Sequence, residues 1–446
     1  MLSTMLTIAI TGAGPVGLTL ARLLLQSSIS SQVNITIYEK DASRTSRHSP
    51  GGTLDLHPPT GLAAIKKMGL WDEFCKYARF EGEEMRICDL NGTVYIHQTE
   101  APPIEGFEAR PEIDRVRLME VLLESVPNEI IRWDRAVKEV VHEGDRWKLK
   151  FEDGSVEGPF DLIVGADGAW SKVRKALTDV EPSYAGICGI SGSIDKESAG
   201  DKWEHISGMV GKGNNFSYSY GQSAMAQRMG DGTLRCSFYA RREREWIEDL
   251  KANHDGDDVA LKRVLLEKYK DWIADFKQWI VAAKDLWCAP LFELPVGHRF
   301  EHKMGLSLCG DAFHLMSPFA GEGVNAGMKD SLDLAATIEK AVTEQMELDS
   351  AVKAYEESVF ERSVKFMTET LVNKTTMYAQ DAPYPFFGVI VGAIAKETGY
   401  DLKKGWRSYL PVTRTVYGVC WMVGTFGALR RRITDMLRGK QEAIAV

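Results

Sequence analysis

The first forty residues constrain the fold more than any other stretch of the chain. Leu6 to Thr11 is a short apolar, β-branched run, the pattern of a parallel strand buried on both faces. Gly12-Ala13-Gly14-Pro15-Val16-Gly17 follows, and Leu18 to Gln26 then repeats apolar residues at helical spacing. A second apolar run, Ile35 to Tyr38, ends at Glu39, 22 positions beyond Gly17. Each glycine has a separate task in such a unit. Gly12 permits the tight turn, Gly14 lets a pyrophosphate approach the backbone, and Gly17 lets helix and strand touch. The helix N-terminus offers N–H groups and its dipole to phosphate, and an acid at Glu39 suits a ribose hydroxyl. An adenine dinucleotide site is expected. The motif alone does not choose between NAD and FAD.

Two later segments bear on that choice. Asp161 to Val164 is an apolar strand that runs into Gly165-Ala166-Asp167-Gly168 and then Ser171-Lys172-Val173-Arg174. Leu306 to Leu308 leads into Gly310-Asp311, then Pro318-Phe319-Ala320-Gly321-Glu322-Gly323, and an apolar pattern of helical spacing continues through Met328 and Leu332. Asp311 is placed to accept a hydrogen bond from a polyol chain, and the helix start after the loop faces a developing anion.

These three motifs, in this order, resemble the single-component FAD-dependent aromatic hydroxylases, over residues 6 to 375. Within that family the runs Gly51-Gly52-Thr53-Leu54-Asp55-Leu56-His57, Pro111-Glu112-Ile113-Asp114-Arg115 and His314-Leu315-Met316 are similar to the tetracycline-inactivating flavin monooxygenases. The resemblance implies FAD as cofactor, with Gly12, Gly14, Gly17, Glu39, Lys40 and Arg47 on its adenosine and pyrophosphate side. Asp167 would serve the FAD and nicotinamide regions, and Asp311 the ribityl chain. Gly52, Asp55, Arg115, Pro318, Gly321, Gly323, Val324 and Asn325 would surround the flavin ring. NADPH or NADH would act as transient reductant, since no second glycine-rich dinucleotide motif is present. The family cycle adds O₂ at flavin C(4a) and transfers one oxygen from the hydroperoxide to an electron-rich carbon. No side-chain nucleophile is needed. Arg115, Gly321 and Gly323 would act in catalysis by offering charge and N–H dipoles to the reduced flavin, with Pro318 in the same catalytic loop. Ser191, Asn215, Arg235 and Phe319 would contact substrate. The first three stand where the tetracycline enzymes carry a Gln, an Arg and a His, which implies another aromatic or polyketide-like molecule. A flavin dehydrogenase or oxidase without oxygen transfer is the alternative, and a non-enzymatic flavin- or lipid-binding protein is a third.

The fold class expected is α/β. A Rossmann-like FAD-binding domain, a doubly wound parallel sheet, spans 1–176 and 291–375. An antiparallel-sheet substrate domain is inserted at 177–290, and a C-terminal helical extension covers 376–446. In the insert, Phe216 to Tyr220 and Leu234 to Tyr239 alternate in polarity around the turn Gly230-Asp231-Gly232, a hairpin signal. Leu261, Val264, Leu265, Tyr269, Trp272, Ile273, Phe276, Trp279 and Ile280 form one long amphipathic helical pattern, read as core.

Composition removes other classes. With 54 basic and 63 acidic residues and a net charge of -9, nucleic acid is not the expected partner. Seven dispersed cysteines without a C-x-x-C pair argue for free thiols in a reducing cytoplasm, and no basic-flanked leader precedes the first strand. Residues 396–446 hold ten Lys/Arg and four Asp/Glu, and Thr415 to Leu429 is uncharged and mostly apolar. Fifteen residues fall short of the ~20 that cross a bilayer. A helix docked on the FAD domain is the first reading of this tail, and weak membrane-surface contact the second. A monomer is expected. His298 and His302 stand four apart with no acidic partner in sequence, so no metal site is expected. Asp114 and Glu112 are expected to be solvated or capping.

Overall fold

A computed structural model describes residues 5–46, 51–99, 109–144 and 146–389. Arg47 and most of the C-terminal extension, including Thr415 to Leu429, lie outside the described residues.

Strand Leu6–Thr11 occupies the centre of a five-stranded parallel sheet. From one edge to the other the strands are Leu306–Leu308, Leu162–Gly165, Leu6–Thr11, Val33–Tyr38 and Ile131–Arg132. Ile8, Ile10, Ile37, Ile163, Val164 and Leu308 are fully buried, which explains why these strands read as unbroken apolar runs. Helix Pro15–Gln26 starts on proline, whose fixed φ suits the first turn. It buries Leu18, Ala21 and Leu24 against this sheet. The long helix Gly323–Thr343 lies across it, with Val16 seated on Gly310 and Gly327. Ser331 Oγ seals the junction by donating to Val16 O at 2.9 Å. Helix Leu348–Met377 packs next to Gly323–Thr343.

The second large layer is a seven-stranded sheet. Its order is Lys284–Glu293, Ser183–Ile194, Leu234–Arg241, Gln222–Arg228, Asn214–Ser219, Met85–Cys88 and Val94–Gln98. Only the contact between Asn214–Ser219 and Met85–Cys88 is parallel. The sheet therefore draws two strands from residues 85–98, outside the inserted segment. The hairpin after Gln222–Arg228 turns at Gly230-Asp231-Gly232 as expected. Gly232 has φ +86°, and Asp231 accepts from the Thr233 N–H and hydroxyl at 2.9 and 2.7 Å.

One face of this sheet carries Ile190, Ala224, Ala226, Cys236 and Phe238, packed under helices Asp258–Lys268 and Ala274–Ala282. The aromatic stripe is core, as read, yet the single long helix is two. Tyr269 donates its hydroxyl to Ser223 O at 2.8 Å, Trp272 Nε1 donates to Gln222 Oε1 at 3.1 Å, and Ile273 N donates to Leu90 O at 3.1 Å. These ties to the sheet bend the chain out of helical geometry between the two segments. The other face presents Ile187, Phe216, Tyr218, Met225, Tyr239 and Leu291 to Phe319 and Tyr378. Among the described residues, no helix is long and apolar enough to cross a membrane.

Candidate active site

The first glycine turn has the anatomy its spacing implies. Gly12 has φ +94°, and a Cβ there would stand 2.4 Å from Ala166 O. At Gly17 a Cβ would stand 2.1 Å from Gly12 O. At Gly14 a Cβ would meet nothing within 4 Å. Two glycines are demanded by packing, and the third borders open space at an uncapped helix start. That is the cradle a pyrophosphate requires. Glu39, buried at the end of its strand, accepts from Ala13 N at 2.7 Å and Asp41 N at 3.1 Å. It fixes the turn from the end of the second strand. Lys40 is exposed beside it.

The second and third motifs are joined by a residue whose role the sequence did not reveal. Arg174 is 2% exposed. Its guanidinium donates to Ala169 O at 2.5 Å, Ala312 O at 3.0 Å and Asp311 O at 3.4 Å. Ser171 caps its helix by accepting from Arg174 N at 3.0 Å. Asp167 Oδ2 accepts from Lys172 N at 2.8 Å, while its buried Oδ1 has no hydrogen-bond partner. Burial holds the Asp167 carboxyl above the usual range. Burial raises Asp311 too, against the nearby charges of His314, Arg115 and Arg174. Asp311 thus stands within electrostatic reach of Arg115, and its Oδ1 would lie 3.9 Å from a Cβ on Gly323.

Residues 51–57 and 318–325 are brought together. Asn325 Nδ2 donates to Asp55 O at 2.8 Å and Gly321 O at 3.3 Å, and its Oδ1 accepts from His57 N at 2.8 Å. Gly321 has φ +68°, and a Cβ there would stand 3.3 Å from Asp55 Oδ1. Gly52 O accepts from Arg115 N at 3.2 Å. Pro318 is exposed, Val324 is half-buried, and Phe319 is buried with its ring 5.1 Å from Tyr378.

His57 sits inside this junction with both ring nitrogens engaged. Nε2 is 2.8 Å from Asp55 Oδ2 and Nδ1 is 3.3 Å from Glu322 Oε1. Burial alone would lower its pKa, but hydrogen bonds and charge from Asp55 and Glu322 outweigh it and raise it to about 9. A raised histidine stabilises the fold fully below its unfolded pKa and loses that contribution as pH rises through the folded one. The unfolding free energy of the apoprotein should therefore fall by ~3 kcal/mol between about pH 6.5 and 9. Denaturant titrations across that window check this, and the fall should be smaller by that amount in His57→Gln, where His302 and His314, raised by their own acidic partners, still contribute.

On the face of the seven-stranded sheet that carries Tyr239 and Met225, Ser191 and Ser237 hydroxyls are 2.9 Å apart and Ser191 Oγ donates to Tyr239 OH at 3.4 Å. Arg235 stacks 5.0 Å over the Trp287 ring. Its buried Nε has no partner, and among the described residues it forms no ion pair. A Cβ on Gly52 would lie 2.4 Å from Gln227 Oε1 and 3.8 Å from Arg235 Cγ, so Arg235 borders the Gly52 segment.

Three expectations, for Asn215, Glu112 and His302, are corrected. Asn215 faces away from this surface: its Nδ2 donates to Met209 O at 2.9 Å, and its Oδ1 accepts from Ser217. A one-residue offset along a strand reverses the face. Glu112 is not solvated. It is 6% exposed, its Oε1 accepts from Asn214 Nδ2 at 3.0 Å, its Oε2 is unpartnered, and burial raises its pKa. Asp114 does cap, as expected, and what it caps is the hairpin: it accepts from Gly230 N at 3.0 Å. His302 does have acidic partners, Glu356 at 2.7 Å and Asp349 at 3.0 Å. Among the described residues no group of three ligating side chains could hold a metal.

A family model described as an FAD binding domain matches residues 5–191 and 298–369. The monooxygenase asqM of Emericella nidulans is 33% identical over 86% of this chain and 98% of its own length. Among solved structures, Klebsiella pneumoniae HpxO complexed with FAD and uric acid superposes with a TM-score of 0.69 at 18% identity, over 93% of this chain and 96% of that one. The tetracycline destructase Tet(55) superposes with a TM-score of 0.64 at 18% identity, over 91% and 100%. At such identities the two structures speak for the fold. The chain belongs to the FAD-binding domain family and is an FAD-dependent monooxygenase.

Proposed function

We propose that this monooxygenase takes electrons from NADPH or NADH and hydroxylates an aromatic or polyketide-like small molecule held between the seven-stranded sheet and the Pro318–Gly323 loop. In this reading residues 1–176 and 291–375 form the cofactor domain and 177–290 most of the substrate domain. Bound FAD would supply the redox chemistry, accepting a hydride and activating O₂ for transfer of one oxygen atom by the C(4a) route. The chain's own residues do the rest. Gly12, Gly14 and Gly17 with Glu39 hold the adenine dinucleotide end, and Asp167 and Asp311 its polyol and ring-proximal end. Arg115 and the N–H groups from Gly321 to Asn325 offer positive potential to the ring. Ile187, Met225, Phe216 and Phe319 exclude water from the reacting carbon.

The observation that carries the substrate class is Arg235. A half-buried guanidinium that forms no ion pair among the described residues, backed by Trp287 and beside the Ser191, Ser237 and Tyr239 hydroxyls, suits an aromatic ring bearing an anionic or strongly accepting oxygen. Uric acid in HpxO is a heteroaromatic of that chemistry. Under anaerobic conditions a phenolic or enolic aromatic ligand should speed NADPH bleaching of the yellow enzyme. Arg235→Met should raise the ligand concentration for half-maximal stimulation by ~10- to 100-fold, a loss of ~1.5–3 kcal/mol, with ligand-independent bleaching unchanged. Equal stimulation of both proteins would remove Arg235 from the site.

A further inference from the structure

Three of the described helices begin with a glutamate at the N-cap, and of Glu243, Glu322 and Glu347 only the last caps its own helix. At Leu348–Met377 the Glu347 carboxylate folds back and accepts from Ser350 N at 3.0 Å. At Gly323–Thr343, Glu322 already has helical backbone angles, φ -93° and ψ -13°, and its side chain makes no cap bond. Its carboxylate is instead drawn to His57 Nδ1 at 3.3 Å, while Asp55 Oδ2 holds the other ring nitrogen at 2.8 Å. His57 is itself fixed, because its backbone N–H donates to Asn325 Oδ1 in the first turn of the same helix. The side chain is 6% exposed, so the clamp is not a chance surface pairing.

A helix N-terminus of this length is a site for negative charge. Glu322 is the residue just before this helix, and if its carboxylate were released from His57 it would place a further anion beside those N–H groups, close to Asp311. We propose that His57 is a positioning residue that holds Glu322 off the N-terminus of helix Gly323–Thr343 and so keeps that N-terminus open to the electron-rich edge of the flavin. This inference rests on the placement of the flavin ring proposed above. Asp55 orients the imidazole and completes the charge pairing, and Glu112, its neighbour across the strand pair, stands behind it.

The test is FAD titration into apoprotein, followed by quenching of flavin fluorescence, for wild type and four variants. His57→Gln frees Glu322 and should weaken FAD binding roughly 10- to 30-fold, the effect of an anion placed at a helix start. Glu322→Gln should bind FAD at least as tightly as wild type. The double variant should return to the affinity of Glu322→Gln. Glu322→Asp keeps the charge at the helix start but is too short to reach His57, so it should weaken binding as His57→Gln does. Its small size change keeps the comparison open if His57→Gln folds poorly. A double variant as weak as His57→Gln, or Glu322→Asp binding like wild type, would overturn the proposal, because a purely structural clamp gives no rescue. Wild-type protein that takes up no FAD would instead overturn the placement on which it rests.

Discussion

Gly14→Val is expected to give a folded protein that cannot hold FAD. The residue has φ -73° and ψ 179°, an extended conformation that valine adopts readily, and a Cβ there meets nothing within 4 Å. The apoprotein should therefore unfold within about 3 °C of wild type. The same open space is where a pyrophosphate must approach the backbone, so the added side chain should cost at least ~3 kcal/mol of binding, or about two orders of magnitude in affinity. Gly17→Ala is the contrasting control. Its Cβ would sit 2.1 Å from Gly12 O, so it should lose the fold along with the cofactor. Thermal unfolding and flavin content, measured on both proteins, separate the two effects.

Arg174→Met should be the most damaging change outside the glycine turn. It removes three hydrogen bonds that join the turns beyond two paired strands, the segments carrying Asp167 and Asp311. Leaving buried carbonyls at Ala169 and Ala312 unpaired should cost about 3 kcal/mol, a fall in unfolding temperature of at least ~5 °C. FAD should be lost as well, since Asp167 and Asp311 are aimed by the two segments Arg174 joins. Arg174→Lys should not restore either property, because one ammonium cannot span three carbonyls as the planar guanidinium does. Calorimetry and the flavin absorbance of the purified variants check both effects.

The cofactor half of this molecule was legible because its strands are short apolar runs bounded by glycine. Leu6–Thr11 begins and ends where that pattern does, and the three glycines of the first turn divide into two packed and one open as their spacing implies. What escaped was long-range. Tyr269 and Trp272 match a helical stripe, but hydrogen bonds to Ser223 and Gln222 break the helix there. Met85–Cys88 joins the substrate sheet beside Asn214–Ser219, a pairing across more than a hundred residues that no local pattern announces. Asn215 was placed one position out of register with the surface it was meant to line. Arg174 reads as an ordinary residue of a helix's first turn, and only burial reveals it as a staple. For His57 a weak signal existed, since Asp55 and His57 alternate along an extended segment and so share a face. Its second partner, Glu322, is visible only once the loop is folded against it.

The most direct test of the account is the fate of oxygen. Purified holoenzyme is supplied with NADPH, isotopically labelled O₂ and a panel of phenolic and enolic aromatics, and the products are weighed by mass spectrometry. One labelled oxygen atom should appear in the product of whichever ligand accelerates bleaching, with NADPH consumed in equal amount. An oxidised product that carries no label, with hydrogen peroxide released in its place, would contradict oxygen transfer and leave a flavin oxidase or dehydrogenase.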